Sequence, residues 1–135
     1  MLRFIYAWLV YTWGGLHRYF GNKNSMGSEY ERAVHYFSRA YEIDPSLRQA
    51  RLARAVLCFR ELGRPQEALA DLNALLETDP DDAEALLNRA MLAQENGRYQ
   101  DALTDLQNYL ALGDTAYTEE ARRMAELLEA LLDER

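Results

Sequence analysis

The chain has 135 residues and a formal charge of −7, with 49% hydrophobic and 27% charged residues. Usage so close to the globular average excludes a disordered or fibrous chain, and the acidic balance argues against nucleic acid, which needs a basic face. A single cysteine, Cys58, excludes an internal disulfide and a cysteine-based zinc site, and three prolines with seven glycines are too few for a many-turned β-sandwich.

The charge is uneven along the chain. Residues 1–27 hold Arg3, Arg18 and Lys23 and no acid, so they carry +3 and the remainder −10. Seven of the fifteen aromatic residues also fall in the first twenty positions. From Phe4 to Leu16 the chain reads FIYAWLVYTWGGL without a charge. A helix of that length is roughly 20 Å, short of the roughly 30 Å hydrocarbon core of a bilayer, so a spanning helix is not expected. A cleaved signal peptide is not expected either, because His17-Arg18-Tyr19-Phe20 stands where a small-residue cleavage site belongs. Phe4, Trp8, Leu9 and Trp13 each forfeit roughly 1.5–3 kcal/mol if left in water. Something must cover them. Three readings stay open: the segment caps its own domain, lies at a membrane interface where Trp, Tyr and flanking cations are at home, or docks into a partner or a second copy. Gly14-Gly15 predicts a break, which sets residues 1–13 apart as a segment.

Three later segments superpose: YERAVHYFSRAYEIDP (30–45), PQEALADLNALLETDP (65–80) and YQDALTDLQNYLALGD (99–114). Ala33, Ala68 and Ala102 begin each apolar stripe. Phe37, Leu72 and Leu106 follow four residues later, and Ala40, Leu75 and Tyr109 three beyond them. Offsets of four and three are the pitch of one helix face, so each segment predicts an amphipathic helix. Between them, SLRQARLARAVLCFRELGR (46–64) and DAEALLNRAMLAQENGR (82–98) predict partner helices that end at Gly63 and Gly97, the expected left-handed caps. Read at a spacing of 34, Ala50, Leu57 and Leu62 of the first correspond to Glu84, Met91 and Asn96 of the second. The repeating unit is a helix–turn–helix.

This pattern resembles the tetratricopeptide repeat family over residues 14–116. Phe20-Gly21, Tyr30, Ala33, Phe37, Ala40 and Pro45 match its signature in the first unit. Leu52, Val56, Gly63, Ala68, Leu72, Leu75 and Pro80 match in the second, and Leu86, Ala90, Gly97, Tyr99, Ala102, Leu106 and Tyr109 in the third. The resemblance implies an all-α, right-handed α-solenoid of about three units (14–47, 49–82 and 83–116). The aromatic segment 1–13 forms an extra N-terminal helix. Residues 117–135 supply a C-terminal capping helix, with Thr118 as its N-cap and Ala121, Met124, Ala125, Leu128 and Leu132 as its apolar stripe.

No catalytic constellation is visible. His17 and His35 have no second metal-type ligand at helical spacing, and Asp79, Asp81 and Asp82 lack the glycine and glutamate of a calcium loop. Neither an enzyme nor a metal nor a cofactor is expected. The family resemblance implies instead a concave groove lined by the first helix of each unit. The candidate lining is Arg18 and Asn22, then Arg54, Leu57 and Arg60, then Asn88 and Met91. Arginines in an acidic shell suit a carboxylate-bearing peptide, and the alternative is that these are solvated helix faces. Some family members clamp a chaperone C-terminus. Arg18 and Asn22 in RYFGN resemble the first pair of that clamp, but Arg54 stands where the family uses Asn and Glu84 where it uses Lys.

The expected function is a non-catalytic scaffold holding another protein or peptide. The alternative is an accessory subunit of a membrane complex, attached to lipid or to an integral partner through residues 1–20. Self-association through the N-terminal segment is a further expectation. A lone cysteine and an uncleaved start suit the cytoplasm, free or docked on a membrane.

Overall fold

A computed structural model describes all 135 residues as seven helices and no strand: α1 (Leu2–Asn24), α2 (Gly27–Ile43), α3 (Arg48–Arg60), α4 (Pro65–Thr78), α5 (Ala83–Glu95), α6 (Tyr99–Ala111) and α7 (Thr118–Asp133). The chain divides into two compact units, Met1–Asp71 and Leu72–Arg135.

In the first unit α1 packs along α2, and α2 along α3. The expected break at Gly14-Gly15 does not occur. Helix α1 runs unbroken from Leu2 to Asn24, so residues 1–13 are the front half of the first helix and not a separate segment. Its buried residues are Ala7, Gly14 and Gly21, a stripe of small side chains seven apart. A Cβ at Gly14 would stand 2.8 Å from Cδ1 of Phe37, and one at Gly21 2.7 Å from Cε1 of Tyr30. These glycines let two aromatic rings lie on the α1 backbone. Each costs about 1 kcal/mol in helix propensity. Burying a ring such as Phe37, which is fully enclosed, returns roughly 1.5–3 kcal/mol, and the helix persists.

The turn after α1 is short. Ser25 takes the left-handed conformation at φ 53°, and the Met26 N–H donates to the Gly21 carbonyl at 3.3 Å. Helix α2 therefore begins at Gly27, and Gly27-Ser28 form its first turn. Tyr30, Ala33 and Phe37 of α2 meet Ala53 and Leu57 of α3, with the Tyr11 ring 5.6 Å from Phe37. Below them Ala7, Ala40, Leu47 and Ala50 close a second cluster.

In the second unit α5 packs on α6, and α6 on α7. Asp82 caps α5 by accepting from the Ala85 N–H at 3.2 Å. Helix α7 buries Ala121, Ala125 and Leu128. Thr118 is its first residue and not its cap. The Thr118 hydroxyl instead accepts from the Thr115 N–H at 2.7 Å and fixes the preceding turn.

The repeated apolar positions behave alike in both units. Ala33, Ala68, Ala102, Phe37, Leu72 and Leu106 are all fully enclosed. Gly63 and Gly97 have φ of 62° and 73°, and the Arg64 and Arg98 N–H groups return to the carbonyls of Cys58 and Ala93 at 2.8 Å. The pairing of α3 with α5 differs from the reading at 34. Their first and last residues are 35 apart, whereas α4 and α6 begin 34 apart. The difference lies in the connections, Glu61–Arg64 in one case and Asn96–Arg98 in the other. Leu57 therefore corresponds to Leu92, both buried, and not to Met91.

Candidate functional site

That one-residue slip redistributes the expected groove lining. Leu57 is a core residue, 2% exposed among Tyr30, Phe37 and Ala53. Arg54 is turned inward onto α4. Its Nε donates to Oδ2 of Asp71 at 2.8 Å, its Nη2 to Oδ1 of the same carboxylate, and its Nη1 to the Ser38 hydroxyl at 2.8 Å. Hydrogen bonds donated to that carboxylate hold the Arg54 guanidinium charged well above its ordinary range.

The second unit repeats the arrangement. Arg89 Nε and Nη2 donate to Oδ2 and Oδ1 of Asp105 at 2.8 and 2.7 Å, and Nη1 donates to Oδ1 of Asn73 at 2.9 Å. Both carboxylates are buried, so these are interior clasps between neighbouring helices. Their sequence signal is a pair of spacings that follow the helices: Arg54 to Arg89 by 35 residues, as α3 to α5, and Asp71 to Asp105 by 34, as α4 to α6.

Helix α3 nevertheless stays strongly basic. It carries Arg48, Arg51, Arg54 and Arg60 and no acid. The Arg51 guanidinium stacks over the Tyr41 ring at 4.3 Å, with its Nε 3.7 Å from Asp71. One carboxylate thus faces two guanidiniums, and the cluster retains positive charge. Arg60 is exposed at the end of the helix, with its guanidinium over the Phe59 ring at 5.6 Å.

On α1, Arg18 is half-buried over the Phe37 ring at 5.7 Å. Asn22 accepts a hydrogen bond from the Tyr30 hydroxyl at 2.8 Å. On α5, Leu87, Asn88, Met91 and Gln94 form one half-exposed strip, spaced at helical pitch. Asn88 donates to the Glu84 carbonyl one turn earlier at 2.8 Å. The strip mixes a thioether and a leucine with two amides, and these groups can hold a peptide backbone and an apolar side chain together.

A shallow cavity of about 470 Å³ lies between α1 and α2, lined by Trp13, His17, Glu31, Arg32, His35 and Tyr36. His17 stacks on Tyr36 and shares a 2.7 Å hydrogen bond with Glu29, which holds that carboxyl below the ordinary range. Cys58 is buried, and its thiol points to Glu67 at 3.8 Å. Desolvation, then the Glu67 charge, pushes the thiol up to about 11, the opposite of what a nucleophile needs. No group of three His, Cys, Asp or Glu stands close enough to share a metal. Phe4, Trp8, Leu9 and Trp13 are each about half-exposed along the outward side of α1. No helix is long and apolar enough to cross a membrane.

Residues 58–132 match the family model for the tetratricopeptide repeat. The chain is 34% identical over 86 residues, 64% of its length, to a UDP-N-acetylglucosamine–peptide N-acetylglucosaminyltransferase of Giardia intestinalis. It is 33% identical over 91 residues, 67% of its length, to the sperm-associated antigen 1 of Mus musculus. These matches span only 6% and 10% of the two relatives. Among solved structures, the first tetratricopeptide domain of human RPAP3 superposes with a TM-score of 0.72 at 19% identity, covering 96% of this chain and 97% of that one. The first such domain of Spaghetti (RPAP3), bound to the HSP90 peptide SRMEEVD, superposes at 0.63 with 21% identity, covering 86% and 93%. The fold is that of an all-α helical-repeat solenoid.

Proposed function

The chain belongs to the tetratricopeptide repeat family, and from that premise we propose that it is a non-catalytic scaffold that holds an acidic peptide of another protein. The observation that carries this reading is the charge of α3, which concentrates four arginines and no acid in a chain whose total is −7. A guanidinium binds carboxylate through paired donors, so a helix of this kind selects acidic ligands over basic ones. In the second unit, taken by itself, the half-exposed strip Leu87, Asn88, Met91 and Gln94 suits peptide amides and an apolar side chain.

The structurally similar Spaghetti domain is bound to a peptide with three acids among its seven residues, which supports the class of ligand. Arg54 is committed to Asp71, so it is not among the groups proposed to meet the ligand. Glu84 on α5 adds negative charge beside Asn88.

The test is fluorescence anisotropy with labelled peptides of equal length in acidic, neutral and basic sets. Acidic peptides should bind best and lose affinity with added salt. Arg48→Glu with Arg60→Glu should weaken their binding about 10-fold or more while helicity by circular dichroism is unchanged. Equal binding of basic peptides, or unchanged affinity in the folded double variant, refutes the reading.

A further inference from the structure

Helix α1 has two faces with different jobs. Ala7, Gly14 and Gly21 turn toward α2, and the opposite side follows a second pattern of alternating three- and four-residue steps. Leu2, Ile5, Leu9, Thr12, Leu16 and Tyr19 lie on that outward line, the spacing of a coiled-coil seam held over nearly three heptads. Tyr6, Trp13 and Phe20 flank it seven residues apart. Nine large side chains between Phe4 and Phe20 are 40–57% exposed. At ~150–250 Å² for each large side chain, the open area is about 900 Å². Monomers rarely leave more than about 300–600 Å² of contiguous apolar surface uncovered, and a stable pair buries roughly 800 Å² on each partner.

The cations of α1 decide between kinds of partner. An anionic lipid surface needs them at the rim of the apolar face. Arg18 instead lies half-buried over Phe37, and Arg3, four residues before Ala7, falls on the side of α1 that turns toward α2. Neither borders the outward seam, and Lys23 stands at one end of it only, past Tyr19. From Leu2 to Tyr19 the seam itself carries no charge and fits another face like itself.

The geometry points to a second copy of this chain as the occupant, the two α1 helices packing antiparallel about a two-fold axis. Ile5 then meets Leu16 of the partner subunit, and Leu9 meets Thr12 of the partner subunit. A parallel pair would align the helix dipoles and set Lys23 against Lys23 at the end of the seam. The antiparallel pair separates these charges. Helix α2 occupies the opposite face of α1 and leaves the seam open.

Sedimentation equilibrium of the full chain between about 1 and 100 µM, without lipid or detergent, tests this. The expected mass is twice 15.6 kDa at the upper concentrations. Ile5→Glu should weaken the pair about 100-fold or more, because it buries an unmatched charge. Adding Leu16→Lys to Ile5→Glu should restore association, since each glutamate then faces a lysine of the other copy. In a parallel pair the same double variant would set like against like and stay apart. Both positions are about half-exposed, so helicity by circular dichroism should hold, and Leu9→Glu provides an independent break in the seam. A chain that remains monomeric at about 100 µM overturns the proposal, and flotation of that monomer with phosphatidylglycerol vesicles would assign the face to lipid. A dimer indifferent to both glutamate variants overturns it too, and failure of the charge pair to restore association overturns the antiparallel arrangement.

Discussion

Replacing Arg89 by Met keeps most of the side chain's length and removes its charge and all three of its hydrogen bonds. The two bonds to Asp105 are 2.8 and 2.7 Å, in paired geometry, and the Asp105 side chain is only 5% exposed. Removing one partner of a buried pair costs about 3–5 kcal/mol, because the other is left charged without compensation. Arg89 keeps 29% of its side-chain surface in water, so the pair is not fully desolvated and about 2–4 kcal/mol is expected. That is a large fraction of the roughly 5–15 kcal/mol that stabilises an ordinary domain. The assay is urea denaturation followed by circular dichroism at 222 nm. Arg89→Met combined with Asp105→Leu removes both charges and should recover about half of the loss, since well-packed apolar pairs replace such clasps at little cost. A single-variant loss below about 1 kcal/mol, or a double variant worse than the single, would refute the assignment of this pair as an interior clasp.

The glycines of α1 predict opposite signs. Gly14→Ala and Gly21→Ala should each destabilise by about 1–3 kcal/mol in thermal melts, because the new methyl meets the Phe37 or Tyr30 ring. Gly15→Ala, with open space around it, should stabilise by roughly 1 kcal/mol. The Cys58 thiol, pushed up from 9.0 to about 11, should react with iodoacetamide at pH 8 at least about 100-fold more slowly than a free thiol, and urea should restore the ordinary rate. Because this folded-state value lies above the unfolded one, the thiol's contribution to stability is present below pH 9 and lost between there and about 11; Cys58→Ala should flatten that part of the profile. Glu29 is shifted down, chiefly by its hydrogen bond with His17. Its contribution is therefore present above the ordinary carboxylate range and lost as pH falls through the depressed one, so Glu29→Gln should weaken the fall in stability below pH 5.

The second helix of each repeat was legible because an alanine and apolar residues four and seven positions later recur at helical pitch and nothing interrupts them. Ala33, Phe37 and Ala40 are enclosed for the same reason as Ala102, Leu106 and Tyr109. The candidate site was less legible, for two physical reasons. The connection from α3 to α4 is one residue longer than that from α5 to α6, so a fixed spacing placed Arg54 and Leu57 on an open face when both are turned inward. In α1, local propensity gave the wrong sign at Gly14-Gly15. A glycine pair weakens an isolated helix, but here the missing Cβ atoms admit the rings of α2, and packing prevails over propensity.

Both tryptophans of the chain, Trp8 and Trp13, stand on the open side of α1, each about half in water. They therefore form a built-in optical reporter for that side alone. An event that covers α1 should move their emission to shorter wavelength and shield it from iodide. Peptide binding is followed separately, through a label on the peptide. Unlabelled protein can thus be followed by its intrinsic fluorescence during self-association, while peptide capture is read at another wavelength in the same cuvette.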